Sequence, residues 1–168
     1  MKEIIYNNDN LNENEINNYV NRAKMIVENS NEELLFAVAN KNYFLIGGHV
    51  EKDESFDECI VREIKEESGV NISLKKRLPY LSIIYYCKDY PQKGLNSKYT
   101  NNYYAIKYDL IPDLNNTSLE QGEIDDGFKL EYIPKEKVLE TLYKNLKNCT
   151  NINVINDTIK AVEEYLNK

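Results

Sequence analysis

The stretch that decides the fold is GHVEKDESFDECIVREIKEESGV, residues Gly48–Val70. An apolar stripe that recurs at about 100° per residue predicts a helix over about 55–68. Ser55 and Glu58 have the spacing of a capping box, and Gly69 is placed to end the helix in the left-handed conformation. The stripe consists of Phe56, Ile60 and Ile64.

Three glutamates crowd the last turns of this helix. Glu63 and Glu67 project along the edge of the apolar stripe, and Glu66 lies beside them. Carboxylates three or four residues apart on an exposed helix repel by ~0.2–0.5 kcal/mol per pair, and the negative end of the helix dipole adds to the cost. A bare E-x-x-E-E is explained well enough as a solvated acidic face. The position on the buried face, and a glycine-rich loop upstream, favour instead a site for Mg²⁺, which takes oxygen ligands.

The same stretch carries a recognisable motif. It matches G-x5-E-x7-R-E-U-x-E-E-x-G-U, where U is a bulky aliphatic residue, and this motif is the Nudix box. The chain therefore resembles the Nudix hydrolase family, with Ile46 as a departure, since many members have proline before the two glycines. The matching residues are Gly48, Glu54, Arg62, Glu63, Ile64, Glu66, Glu67, Gly69 and Val70.

The resemblance implies a metal site. Glu63, Glu66 and Glu67 resemble the metal-binding, catalytic carboxylates, and the backbone carbonyl of Gly47 resembles a further ligand. The implied cofactor is Mg²⁺, with Mn²⁺ as a substitute. The implied reaction is attack of water on phosphorus, in which metal ions polarise the phosphoryl oxygens and lower the pKa of the bound water.

Other residues of the box resemble supports of that site. Arg62, counted with the catalytic set, pairs with Glu54 in the family to hold the helix and the loop in register. Gly48 and Gly69 match positions with structural roles.

An acidic residue outside the box serves many family members as a further ligand or base. Spacing back from Tyr132 favours Asp126, and side-chain type favours Glu123. The loop also contains Glu120 and Asp125, and the sequence leaves all four open.

Strands interleaved with a few helices predict an α/β fold, which the resemblance identifies as a Nudix-like α/β/α sandwich with a mixed β-sheet. We expect a polar extension at 1–21 with a weak helical pattern, a Nudix hydrolase domain at 22–146 and a C-terminal helix packed on it at 147–168. Two polar loops are expected, at 88–102 and 112–127. The expected strands are 23–27, 34–39, 43–46, 71–74, 81–87, 103–110 and 128–133, and helices are expected at 134–146 and 154–166.

Composition limits the kinds of partner that this protein is expected to bind. The net charge is −7, with 28 acidic and 21 basic residues, and no basic cluster is dense enough for duplex nucleic acid. The longest apolar run, Leu34–Ala39, is far too short to cross a bilayer, and we expect no signal peptide because Lys2–Tyr6 is followed at once by asparagines. Three cysteines without a C-x-x-C pair argue against disulfides and a zinc site. We expect a cytoplasmic protein without membrane contact, and a homodimer through the C-terminal helix is left open.

The function expected from these features is a Mg²⁺-dependent pyrophosphohydrolase that cleaves a diphosphate linkage in a nucleoside diphosphate linked to another group. The alternative is a non-catalytic Nudix-like domain that binds or senses a nucleotide or sugar nucleotide. An isoprenoid diphosphate isomerase is a third reading, which the intact R-E-x-x-E-E disfavours. His49 is interpreted as a polar or substrate-edge contact and the many tyrosines chiefly as packing. Substrate identity has no sequence signature here.

Overall fold

One mixed sheet of seven strands organises the molecule, and the computed structural model describes residues 1–168. The strands are β1 (Lys2–Tyr6), β2 (Asn18–Glu28), β3 (Glu33–Ala39), β4 (Asn42–Phe44), β5 (Leu81–Cys87), β6 (Ser97–Lys107) and β7 (Lys129–Pro134). Their order is β1-β5-β6-β2-β3-β4, with β7 paired to β3. The β1–β5 and β2–β6 pairs are parallel and the others are antiparallel.

Helices cover both faces of the sheet, which confirms the predicted α/β/α sandwich. The helices are α1 (Phe56–Ser68), α2 (Gln121–Asp125), α3 (Val138–Asn145) and α4 (Ile152–Leu166). Helix α1 packs on one face, and α3 and α4 pack on the other. None of the helices is long and apolar enough to cross a membrane.

Strand β2 supplies side chains to both cores, because successive residues of a strand point to opposite faces. Ala23, Met25 and Val27 belong to the core beneath α1. Ile26 belongs to the core beneath α3 and α4. The side chain of Lys24 therefore leaves β2 on the same face of the sheet as Ile26, opposite α1.

The strands β2 and β3 separate soon after they meet. They pair only at Glu28 and Leu34, and β4 then takes the same edge of β3. Beyond β4 the chain returns to β2, where the Met25 amide donates to the Ile46 carbonyl at 2.8 Å and the Ala23 amide donates to the Gly48 carbonyl at 3.1 Å. The glycine-containing loop thus lies beside β2, between the two faces of the sheet.

Residues 1–21 differ from the expected extension with a weak helical pattern. Lys2–Tyr6 forms β1, which pairs in parallel with β5 along its whole length. Tyr6 stacks on Tyr85 with ring centroids 4.9 Å apart, and Lys2 forms an ion pair with Glu164 at 2.6 Å. These contacts are all distant in sequence, so local periodicity gave no sign of them.

Two other expectations about secondary structure are wrong. Residues 71–74 form no strand, although Ile72 and Leu74 pack against the core beneath α1, which accounts for their alternation. The expected polar loop at 88–102 ends at Ser97, where β6 begins. The start of β6 is rich in asparagine, and Asn101 and Asn102 are nevertheless buried.

Other bounds shift by a few residues. The helix expected from Pro134 begins as a single 3-10 turn at Lys135–Lys137 and continues as α3, and α4 begins two residues early at Ile152. The expected loop at 112–127 includes the short helix α2.

Glu28 is a buried carboxylate that joins several elements. Its side chain is 1% exposed and accepts hydrogen bonds from the Tyr165 hydroxyl on α4 and from Lys135 Nζ at 3.2 Å, while Lys107 Nζ lies 3.3 Å away. Burial alone would raise the pKa of Glu28, but the hydrogen bonds from Tyr165, Lys135 and Lys107 keep it below its ordinary value. The charged form is therefore favoured in the folded protein.

We predict that Glu28→Ala lowers the free energy of unfolding by about 1–3 kcal/mol, because the Tyr165 hydroxyl and the Lys135 ammonium group lose the acceptor to which they donate. Urea unfolding measures the change, with Glu136→Ala, an exposed glutamate, as the control. A lowered carboxyl pKa adds stability that is present above its ordinary value of 4.5 and is lost as the pH falls through the lowered value. The difference between wild type and Glu28→Ala should accordingly shrink in acid. A Glu28→Ala protein as stable as the control contradicts this assignment.

Candidate metal and active site

Helix α1 has the ends that its sequence predicts. The Ser55 amide donates to Glu58 Oε2 at 2.8 Å, and the Glu58 amide donates to Ser55 Oγ at 3.3 Å. Gly69 adopts the left-handed conformation with φ of 74°, and its amide donates to the Lys65 carbonyl at 2.9 Å. Both termini of the glutamate-bearing helix are therefore fixed.

The loop after β6 docks on the C-terminal end of α1. The Asp113 amide donates to the Ser68 carbonyl at 2.8 Å, and the Ser118 amide donates to the Glu66 carbonyl at 2.8 Å. These bonds satisfy carbonyls that a helix end leaves without partners. A Cβ on Gly69 would lie 2.0 Å from the Asp113 carbonyl oxygen, so the close approach depends on glycine at that position.

Arg62 ties the helix to the preceding loop. Its Nε donates to Glu54 Oε1 at 2.8 Å, and its Nη1 donates to Glu63 Oε1 at 2.9 Å and to Glu66 Oε2 at 3.0 Å. Its Nη2 reaches the second oxygen of Glu54 at 3.1 Å and the His49 carbonyl at 2.9 Å. The structure thus brings Arg62 together with Glu54, and one guanidinium contacts three carboxylates.

Glu67 is the most enclosed of the helix carboxylates. Its residue is 6% exposed, and Oε2 has no hydrogen-bond partner. Burial raises the pKa of Glu67 to about 8, against the opposing effect of the nearby Lys24 ammonium and with a further upward effect from Glu63. A buried carboxylate oxygen without a partner is costly, and a cation would satisfy it.

Glu63 lies against the glycine loop. A Cβ built on Gly48 would be 2.0 Å from Glu63 Oε1, so the carboxylate occupies the space that any larger residue at position 48 would need. Burial raises the pKa of Glu63, and the adjacent Arg62 guanidinium opposes that rise.

Gly47 has a different constraint. Its φ is +125°, and a Cβ there would lie 2.1 Å from the backbone oxygen of Ala23 on β2. Glycine is the residue that tolerates both the backbone conformation and the close approach. The carbonyl of Gly47 accepts a hydrogen bond from Lys24 Nζ.

Lys24, like Arg22, is a charged residue of this site that the sequence did not predict. Burial lowers its pKa, while Glu67 and Glu63 act to raise it. The available signal was a lysine in the middle of the apolar run of β2, between Ala23 and Met25.

The oxygen donors suit a magnesium site in kind. Mg²⁺ takes carboxylate and carbonyl oxygens as ligands, and the site offers both kinds, from Glu63, Glu66, Glu67 and the Gly47 carbonyl. Glu67 Oε2 has no hydrogen-bond partner and is available to bind a metal ion beside the glycine loop. These oxygen donors do not surround a common point, since no three acidic, histidine or cysteine side chains converge enough to hold a metal ion. Arg62 contacts one oxygen of Glu63 and one oxygen of Glu66, which leaves the second oxygen of each carboxylate outside that contact.

The four acidic candidates outside the box lie on or beside α2. The charge of Glu123 contributes to the raised pKa of Glu67. Glu123 Oε2 accepts the Glu120 amide at 2.7 Å, and Asp125 accepts from Gln121 at 2.8 Å. All four residues stay candidates for the additional acid.

A cavity of about 780 Å³ opens beside the glycine loop, between the sheet and α4. Its end near the carboxylates is formed by Lys24, Arg22, Gly48 and His49. Arg22 Nε donates to His49 Nε2 at 3.2 Å, and burial, followed by the charges of Arg22 and Lys24, lowers the pKa of His49. The aromatic residues that line the rest are Tyr6, Phe44, Tyr85, Tyr86, Tyr90, Tyr99 and Tyr103.

One wall of the cavity is polar. Asp157 on α4 accepts hydrogen bonds from the Tyr85 hydroxyl and from Asn101 Nδ2, the latter at 3.4 Å. Asn101 is 9% exposed, and its Oδ1 has no hydrogen-bond partner. Burial raises the pKa of Asp157. The sequence does not predict this wall, because its residues are far apart along the chain.

The two glycines yield a paired prediction. Gly47→Ala should lower the free energy of unfolding by at least about 2 kcal/mol, because it combines an unfavourable φ with a backbone clash. Gly48→Ala should cost less, because the clashing atom is the end of a flexible side chain, but it should displace Glu63 and weaken Mn²⁺ binding. Urea unfolding and Mn²⁺ titration measure the two effects. The control is Gly94→Ala, which has φ of +89° and no neighbour within 4 Å. Equal stability losses at positions 47 and 48 contradict the distinction.

Comparison with known proteins agrees with this architecture. A solved NUDIX hydrolase from Nitrosomonas europaea superposes with a TM-score of 0.61 at 13% identity, covering 88% of each chain. The ORF135 protein of E. coli superposes with a TM-score of 0.54 at 16% identity, covering 89% of this chain and 90% of that one. At these identities the likeness shows the fold.

The family assignment comes from the sequence match. A family model described as the NUDIX domain matches residues 19–150, which is most of the chain. The chain therefore belongs to the Nudix family and is a Nudix hydrolase that acts on phosphoanhydride-type substrates.

Proposed function

We propose that this protein is a Mg²⁺-dependent pyrophosphohydrolase that cleaves the diphosphate linkage of a nucleoside diphosphate joined to another group. The observation that carries the proposal is the buried, unpartnered carboxylate oxygen of Glu67 beside the Gly47–Gly48 loop, next to a cavity lined with aromatic side chains. A cation at the carboxylates and an aromatic group in the cavity would place the diphosphate between them.

Electrostatics support the requirement for a metal. A diphosphate approaching three glutamates in a protein of net charge −7 is repelled unless cations intervene. Glu63, Glu66, Glu67 and the Gly47 carbonyl would hold the ion. When bound, it supplies Lewis acidity to the phosphoryl oxygens and a more acidic bound water.

The protein's own groups would orient the metal ligands and accept a proton from the attacking water. Arg62 restrains the helix carboxylates and the loop through Glu54. The acid proposed to accept the proton of the attacking water is Glu123 or Asp126, which lie on and beside α2. The negative charge of either residue would favour proton removal.

The cavity supports a nucleotide-like substrate. Small-molecule sites typically enclose roughly 300–1,000 Å³. The present volume of about 780 Å³ lies in this range. Tyrosine rings such as Tyr99 and Tyr103 can stack on a heterocyclic base, and the polar wall at Asp157 can pair with its edge.

The cellular setting belongs to the same proposal. We propose a cytoplasmic enzyme that acts on a small molecule, with neither duplex nucleic acid nor a membrane as its partner. The apolar face of α4, including Ile155, Ile159 and Val162, is already buried in the core of one chain. A homodimer would thus have to use another surface of α4.

We predict that Glu67→Gln lowers the hydrolysis rate by more than about a hundredfold, because losing even an indirect partner of a metal ligand costs about 10- to 100-fold. Product release with Mg²⁺ or Mn²⁺ measures the rate, and thermal unfolding tests the fold. The matched control on the same helix is Glu58→Gln, whose exposed side chain acts in the helix cap. Full activity in Glu67→Gln would remove Glu67 from the site.

A product-resolved hydrolysis screen would identify the substrate. ADP-ribose-like compounds, dinucleoside polyphosphates, and ordinary and oxidised nucleoside triphosphates should each be tested with Mg²⁺, with Mn²⁺ and with a chelator. We expect metal-dependent cleavage at a phosphoanhydride bond in one of these classes. Tight binding measured by calorimetry, without turnover at any metal concentration or pH, would favour the sensor alternative.

A further inference from the structure

We propose that Lys24 binds the substrate's diphosphate, and that until metal and substrate arrive its ammonium group is held beside the acidic site by its hydrogen bond to the Gly47 carbonyl. This inference rests on the proposed function, because it assigns a diphosphate to the same site. It concerns a residue outside the Nudix box.

The position of Lys24 supports the assignment. The residue lies on the face of β2 opposite α1, where it lines the cavity together with Arg22, two residues earlier on the same face. Its Nζ nevertheless reaches the Gly47 carbonyl on the loop that separates the cavity from the α1 carboxylates. Lys24 is therefore situated between the proposed metal ligands and the aromatic cavity.

The hydrogen bonding of Lys24 is incomplete. An ammonium group has three donors. The Gly47 carbonyl is the only acceptor that Nζ bonds within the protein. Two donors are thus free for further acceptors at the cavity, and phosphate oxygens are strong acceptors for a charged donor.

The surroundings of Lys24 act on its charge in both directions. Burial disfavours the charged form, Glu67 and Glu63 attract the ammonium group, and Arg22 repels it. A divalent ion held by those glutamates would cancel their attraction and compete for the same Gly47 carbonyl. A diphosphate in the cavity would restore a negative partner to Lys24.

The charge of Lys24 should affect the binding of metal and the binding of diphosphate in opposite directions, and the two effects are thermodynamically linked. In the free protein, the Lys24 charge opposes metal binding through repulsion and competition for the carbonyl. In the presence of metal, the same charge favours binding of a diphosphate. Lys24 would then make binding of metal and diphosphate mutually reinforcing. A lysine that only fastened the glycine loop to β2 would affect stability and leave this coupling unchanged.

The test uses the full chain and two probes, Mn²⁺ alone and methylenediphosphonate, a diphosphate analogue that cannot be hydrolysed. Wild type, Lys24→Met and the control Lys129→Met are compared. Lys129 is an exposed lysine of β7 outside the cavity. Its replacement by methionine removes the same formal charge as Lys24→Met but leaves the site untouched. Mn²⁺ binding is followed by electron paramagnetic resonance, and analogue binding at saturating Mn²⁺ by calorimetry.

For Lys24→Met, we expect Mn²⁺ to bind about tenfold more tightly in the absence of analogue, and the analogue to bind about tenfold more weakly with Mn²⁺ present, within the usual range of about 5- to 150-fold for coupled sites. Lys129→Met should match wild type in both. Lys24→Arg, which keeps the charge, should stay close to wild type in analogue binding and serves if Lys24→Met does not fold.

Two results would overturn the proposal. The first is unchanged binding of both probes in Lys24→Met. The second is a lower unfolding temperature as its sole effect, which would make Lys24 a structural link. Neither readout needs turnover. Absence of hydrolysis by wild type, with the Lys24 effects intact, would therefore contradict the proposed function and leave this assignment standing.

Discussion

The site depends on holding several carboxylates together at the C-terminal end of one helix. Glu63, Glu66 and Glu67 repel each other and also face the negative end of the helix dipole. Two cations offset this cost, since Arg62 bonds to Glu63 and Glu66, and Lys24 acts on Glu67 from the other side of the glycine loop. Neither cation gives Glu67 Oε2 a hydrogen bond, so the charge balance is incomplete at the most buried oxygen. The fold keeps a carboxylate available at the position where a metal ion would be most useful.

The glycine pair makes this arrangement geometrically possible. Gly47 lies against the backbone of β2, and Gly48 lies against the carboxylate of Glu63. Because β2 and β3 separate after one pair of residues, the loop can enter the gap and approach β2 directly. The acidic helix and the cavity therefore lie on opposite sides of a thin backbone segment, across which a lysine on one side can interact with glutamates on the other.

The sequence predicted what depends on local patterns and missed what depends on distant contacts. The bounds and caps of α1 followed from helical periodicity, from Ser55 and Glu58, and from Gly69. Strand β1 was missed, because its stability comes from pairing with β5 about eighty residues away. The start of β6 was read as a loop because asparagines disfavour strands, although burial between neighbouring strands overrides that preference. Lys24 was missed because nothing near it in the sequence shows that the strand passes beside the glycine loop.

Charge distribution finally indicates how an acidic protein can accept an anionic substrate. The net charge of −7 would repel a diphosphate at long range, but screening at physiological salt limits that repulsion to about 8 Å. Within that distance the cavity has a different balance of charge, because three basic residues (Arg22, Lys24 and Lys88) and two acidic residues (Asp9 and Asp157) line it. Asp157 lies close to Arg22, since Asn101, the neighbour of Arg22 on β6, donates to Asp157 Oδ2 at 3.4 Å. The lining of the cavity is thus formally positive in an acidic chain, and a metal ion at the glutamates would strengthen a preference for anions that already exists.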